Sequence, residues 1–161
     1  MISVNSEGIS VDRGSSENIS KLLWDFLSVT GTRFNMIVLD CSDEVEYAHN
    51  FKFLKHKNAR IGVFSVTNED EYQSLISAFS EATISDFYIT ANTSFNVILD
   101  TCNNPEFYDD QEGFLIKAYL LEYPQTIHIE ETGFFIDFNN FKTVKYQLTN
   151  VAKKYEAKSK K

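Results

Sequence analysis

Between residues 15 and 30, apolar side chains recur at helical spacing. Ile19, Leu22, Leu23, Phe26 and Leu27 fall at i, i+3, i+4, i+7 and i+8, with Ser15 or Ser16 placed to cap and Gly31 to stop. FNMIVLD at 34–40 and IGVFSV at 61–66 read as buried strands, short apolar runs rich in branched and bulky residues. The segment 43–58 between them predicts a helix. Asp43 can cap it with Glu46 in the capping-box position, and Lys52, Lys55 and Lys57 at its end suit the helix dipole. Another helix is predicted over 68–82, capped by Asn68 with Glu71 three residues on, and striped by Tyr72, Leu75, Ile76 and Phe79.

ISDFYIT at 84–90 and SFNVILD at 94–100 read as a pair of strands joined by a short polar turn. FLIKAYLLEY at 114–123 fits helix or strand; its Leu and Ala content favours helix, and Pro124 ends it. TIHIE and FFIDF form a hairpin around Gly133. Residues 140–157 predict a last helix with Phe141, Val144, Leu148, Val151 and Tyr155 on one side, and a short strand at 2–4 or 9–11 is the remaining candidate. Alternation in the first half argues parallel pairing, and the hairpins of the second half make the sheet mixed. The expected class is therefore α/β, or α+β, with a mixed, partly parallel central sheet covered by helices. One domain is expected over 1–161, with 156–161 a frayed basic tail.

Charge changes this picture more than composition does. The net charge is −8, but seven lysines and one acid lie from Lys142 onward. Residues 61–141 hold fourteen acids against one base, Lys117. A body so acidic repels phosphates, which excludes nucleic acid as its partner, although the C-terminal lysines could touch nucleic acid or anionic lipid. The apolar runs fall far short of the roughly 20 residues a membrane span needs, and the start lacks a secretory pattern. Cys41 and Cys102 sit in no CxxC pair; a reduced cytoplasmic chain is the simplest reading, with one disulfide left open.

Catalytic motifs are weak. The six glycines form neither GxxxxGK nor GxGxxG, and GxSxG and HExxH are missing. His49 and His56 are seven residues apart on the predicted 43–58 helix, too far to share an ion unaided, and His128 alternates with Ile127 and Ile129, which turns it to solvent. A calcium loop beginning at Asp100 would need Gly and Glu where Pro105 and Gln111 stand. No cofactor and no metal site is expected; the alternative is an enzyme using paired carboxylates around Asp109 and Asp110, with or without a divalent ion, for which Asp109, Asp110 and Glu112 would form an irregular site.

The stretch NNPEFYDDQEG at 103–113 sets Phe107 and Tyr108 among Glu106, Asp109, Asp110 and Glu112, with no positive charge. It is either a wet loop plugged onto the core by its aromatics or a docking surface for a basic partner. Glu69, Asp70 and Glu71 form a second acidic cluster at a helix start, where stabilisation of the dipole competes with binding.

The first half resembles a phospho-receiver domain. VLD ends a strand at Asp40, where the family's phosphorylated aspartate sits, and FSVT ends the next at Thr67, where its hydroxyl switch sits. The chain departs from the family in having Thr90 where a lysine is required and in lacking the acidic pair that holds magnesium. That resemblance implies a degenerate regulatory domain. In acidity, size and want of a catalytic kit, the chain is also similar in general character to bacterial toxin-immunity proteins of the contact-dependent growth inhibition type. This second resemblance implies a cytoplasmic inhibitor that covers the active site of a cognate basic toxin, nuclease-type, through Glu106, Phe107, Tyr108, Asp109, Asp110 and Glu112, with Glu69, Asp70 and Glu71.

Overall fold

The structure, a computed structural model, describes residues 2–12, 19–31, 33–40, 51–56, 59–81, 86–109, 114–130 and 132–159. Among them the strands are β1 (Ile2–Val4), β2 (Gly8–Asp12), β3 (Phe34–Val38), β4 (Phe51–His56), β5 (Ala59–Val66), β6 (Phe87–Ala91), β7 (Thr126–Ile129) and β8 (Gly133–Asp137). The helices are α1 (Ile19–Thr30), α2 (Glu69–Glu81), α3 (Phe95–Cys102), α4 (Phe114–Glu122) and α5 (Lys145–Ser159), with 3₁₀ turns at Pro105–Tyr108 and Lys142–Val144. The strands form one eight-stranded sheet in the order β1-β2-β8-β7-β6-β3-β5-β4.

Every ladder between these strands is antiparallel, which corrects the expected partly parallel sheet. Two misread segments account for the error. Residues 51–56 belong to no helix: FKFLKH alternates across a strand, with Phe53 on the first face and Leu54 on the second, and pairs Leu54↔Ile61 with β5. Lys52 and Lys55, two of the lysines read as a dipole complement, line an edge strand, where charge discourages further pairing, and Lys57 lies outside the described residues. Residues 41–50, with the rest of the expected helix and Cys41, lie outside the described residues.

The second misread segment is 94–100, which is helical. The Ser94 side chain caps α3 by accepting from the Val97 N–H at 3.3 Å, and Ile98 and Cys102 turn one side into the core. With both segments reassigned, β3 stands between β5 and β6 and runs against each. Asp40 follows β3 and forms an isolated bridge with Arg60, and the Thr67 hydroxyl bonds the Glu71 carboxylate at 3.2 Å. The parallel sheet that defines a receiver is therefore not built here, and the expected receiver-like arrangement does not hold.

Alternation along the strands splits the core into two layers. Phe34, Met36, Val38, Phe64, Val66, Phe87, Ile89, Ile127, Ile136 and Ile9 face one side, covered by α1, α2 and α5 through Phe26, Leu27, Tyr72, Leu75 and Leu148. Trp24 packs against Phe34 and Tyr72, with ring centroids 5.8 and 5.3 Å apart, and the Tyr72 hydroxyl donates to the Ser20 carbonyl at 2.7 Å. On the second face, Ile37, Ile61, Val63 and Tyr88 pack under α3, α4 and the first 3₁₀ turn through Ile98, Cys102, Tyr108, Ile116 and Leu120. Over β8 and β2 that face carries Phe135 and Ser10, both exposed. The β7–β8 hairpin closes with Glu130 and Gly133 exchanging backbone bonds, and Gly133 takes φ +148°, where a Cβ would overlap the Val11 carbonyl.

Candidate functional site

The NNP stretch is a piece of capping machinery. The Asn103 N–H bonds the Leu99 carbonyl at 2.9 Å and ends α3; the Asn104 side chain accepts from Glu106 N–H at 3.1 Å and starts the 3₁₀ turn at Pro105. That turn drives Tyr108 inward. Its ring stacks on His56 of β4 with centroids 4.5 Å apart and planes 9° off parallel, and its hydroxyl donates to the Cys102 carbonyl. Burial pushes the Tyr108 hydroxyl pKa upward from its ordinary value.

The two aromatics thus do different work. Tyr108, expected among the docking residues, plugs the turn onto the core. Phe107 is half-buried and lies against Tyr119 of α4, centroids 4.2 Å apart. Glu106 and Asp109 are exposed beside them, while Asp110 and Glu112 lie outside the described residues.

The second acidic cluster is elsewhere. Asn68 accepts from Glu71 N–H at 2.9 Å, so the expected cap forms, and the Glu71 carboxylate reaches back past the cap to take the Thr67 N–H at 2.9 Å. Glu69 meets Lys21 of α1 at 3.4 Å, and Asp70 is exposed. α2 begins where β5 ends and lies on the first face, whereas Tyr108 packs on His56, which pairs with Ala59 at the start of β5. The sheet and the length of β5 separate the two clusters, and they do not make one surface.

Residues 114–123 settle as the helix α4 up to Glu122, and it carries what sequence reasoning missed. Ile116 and Leu120 enter the core, while Leu115, Tyr119 and Leu121 remain 44%, 44% and 47% exposed and Ala118 is exposed as well. At 100° per residue, 121, 118, 122, 115 and 119 occupy one continuous outward arc of about 160°. Glu122 is the single charge on it. A helix on the surface of a sheet ordinarily turns polar residues outward; this one is apolar on both sides. The signal was legible in FLIKAYLLEY, which has two charges in ten residues and therefore no polar side. Among the described residues between 95 and 122 the second-face layer has four acids, Asp100, Glu106, Asp109 and Glu122, against Lys117, while the first face carries both the acids of α2 and exposed lysines of α5 such as Lys153 and Lys154.

Other candidate chemistry is sparse. His128 stacks on Tyr88 (4.2 Å between centroids, 4° between planes), and its Nε2 meets the Asp86 carboxylate, a pair that only the β6–β7 register could reveal. Cys102 is a free, buried thiol whose pKa burial pushes up to about 12, which makes it inert as a nucleophile. Among the described residues no group of three or more His, Cys, Asp and Glu side chains is placed to hold a metal ion, and no helix is long and apolar enough to cross a membrane. Comparison with protein-family models, curated proteins and solved structures returns no match.

Proposed function

We propose that the chain is an acidic binding protein that neutralises a cognate basic protein in the cytoplasm, in the manner of a bacterial immunity protein that covers the active site of a nuclease-type toxin. The observation that carries this reading is the charge layout: fourteen acids to one base over residues 61–141. A nuclease site is shaped for phosphate, and carboxylates can take that place; complementary charge speeds encounter and repels wrong partners. Glu106 and Asp109 stand exposed at the rim of the second-face layer, where such charge acts on association.

The test is to co-express the chain with the product of the reading frame beside its own gene and measure both binding and protection of the host. Tight binding that weakens with salt, together with rescue of growth, supports the reading. A neighbour that neither binds nor harms the host, with the chain folded, overturns it.

A further inference from the structure

We infer that the outward arc of α4 is the docking surface, and that its occupant is a basic protein element with an apolar stripe flanked by lysines or arginines. This rests on the proposed inhibitory function and adds to it a place and a partner chemistry. Leu115, Ala118, Tyr119 and Leu121 give the arc, and Phe107 extends it through its contact with Tyr119. Water-facing apolar residues scattered singly need no explanation; several on one helix, continuous with a half-buried aromatic, mark a surface that something covers.

Charge decides what covers it. Glu122 lies on the arc, Glu106 and Asp109 lie exposed along the turn that packs against it, and Asp100 is exposed on α3. A second copy would bring the same acids against these and is disfavoured. A cationic rim around an apolar stripe satisfies both features at once: the charges set the association rate, and Tyr119 and the leucines, once dried, set dissociation. Tyr146 of α5 is more exposed, but Lys142 and Lys145 stand beside it and would repel the same partner.

The probes are two synthetic peptides of equal charge, one an amphipathic helix of leucine and lysine, the other of lysine and glycine. Affinities for the wild-type chain, Leu115→Ser/Tyr119→Ser and Glu69→Lys/Asp70→Lys are read by fluorescence anisotropy, and the footprint by amide hydrogen exchange. The amphipathic peptide should bind more tightly than its apolar-free counterpart and should protect amides of α4. The Ser double variant, its fold checked by circular dichroism, should lose about tenfold in affinity for it while binding the lysine–glycine peptide as before. The α2 variant, altered away from the arc, should weaken both peptides alike and leave the preference for the amphipathic one unchanged. Equal affinity for both peptides, protection away from α4, or an undiminished Ser variant would overturn the docking surface without touching the neighbour-binding test above. A wild-type dimer that the Ser variant dissociates would also overturn it, by assigning the arc to a second copy.

Discussion

Two tyrosines eleven residues apart, Tyr108 and Tyr119, should respond oppositely to truncation. Tyr108 is 7% exposed, stacked on His56, and donates to the Cys102 carbonyl. Replacing it with alanine removes a buried ring from between the edge strand β4 and the α3 layer, at a cost of about 3–5 kcal/mol, the usual range for buried aromatics. Tyr108→Phe keeps the ring but strips the Cys102 carbonyl of this donor, which costs about 1 kcal/mol, up to about 3 if the carbonyl stays dry.

Tyr119 is 44% exposed and touches Phe107, so Tyr119→Ala should cost less than about 1 kcal/mol. For a chain of this size each kcal/mol moves the melting midpoint by about 2–4 °C, so Tyr108→Ala should lower it by about 6–20 °C and Tyr119→Ala by at most about 4 °C. Urea titration with a common slope gives the free energies, and calorimetry gives the midpoints. Binding of a basic partner should show the reverse ranking, with Tyr119→Ala weakening it and Tyr108→Phe leaving it intact. Equal destabilisation by the two alanine variants would refute the division into plug and docking residue.

Four other outcomes follow from the same structure. Cys102 should resist a thiol reagent in the native state and react once unfolded in urea, because burial lifts its pKa from 9.0 to about 12. Above pH 9 the unfolded thiol has lost its proton while the native thiol keeps it, so stability should fall with rising pH toward 12, at up to about 1.4 kcal/mol per unit; Cys102→Ala should flatten that part of the profile. Ser94→Ala should cost about 1 kcal/mol by removing the cap of α3, whereas a strand at 94–100 would have tolerated the change; urea unfolding decides. Gly133→Ala should cost about 2–4 kcal/mol, since φ is +148° and a Cβ overlaps the Val11 carbonyl, and a loss under about 0.5 kcal/mol would contradict the hairpin geometry.

What could be read from the chain followed local periodicity, and what could not followed pairing. The stripe of Leu22, Leu23, Phe26 and Leu27, the cap that Asn68 puts on the Glu71 N–H, and the hairpin around Gly133 each lie within a few residues, and each formed as expected. The segment 94–100 failed because its apolar density was taken for a strand, although Phe95, Ile98, Leu99 and Cys102 recur at i, i+3, i+4 and i+7 behind a serine cap. The segment 51–56 failed because lysines suited a helix end as well as an edge strand, and only its pairing with β5 separates the two.

At the candidate site, the acids of 103–113 were legible as charge, but the opposite fates of Phe107 and Tyr108 depend on the way α4 folds back on the turn and on β4, which approaches from a distant part of the chain. The ambiguity of 114–123 was itself informative: a helix with no polar side leaves an apolar side exposed when only one side meets the sheet.

The most direct test of the central claim is calorimetric titration of the protein with the product of the adjacent reading frame, at low and at high salt, comparing the wild-type chain with Leu115→Ser/Tyr119→Ser. The expected result is tight binding that weakens with salt for the wild type, and affinity about tenfold lower for the variant with its salt dependence preserved. Binding by the wild type that the variant fully retains would contradict the claim, and so would binding indifferent to salt.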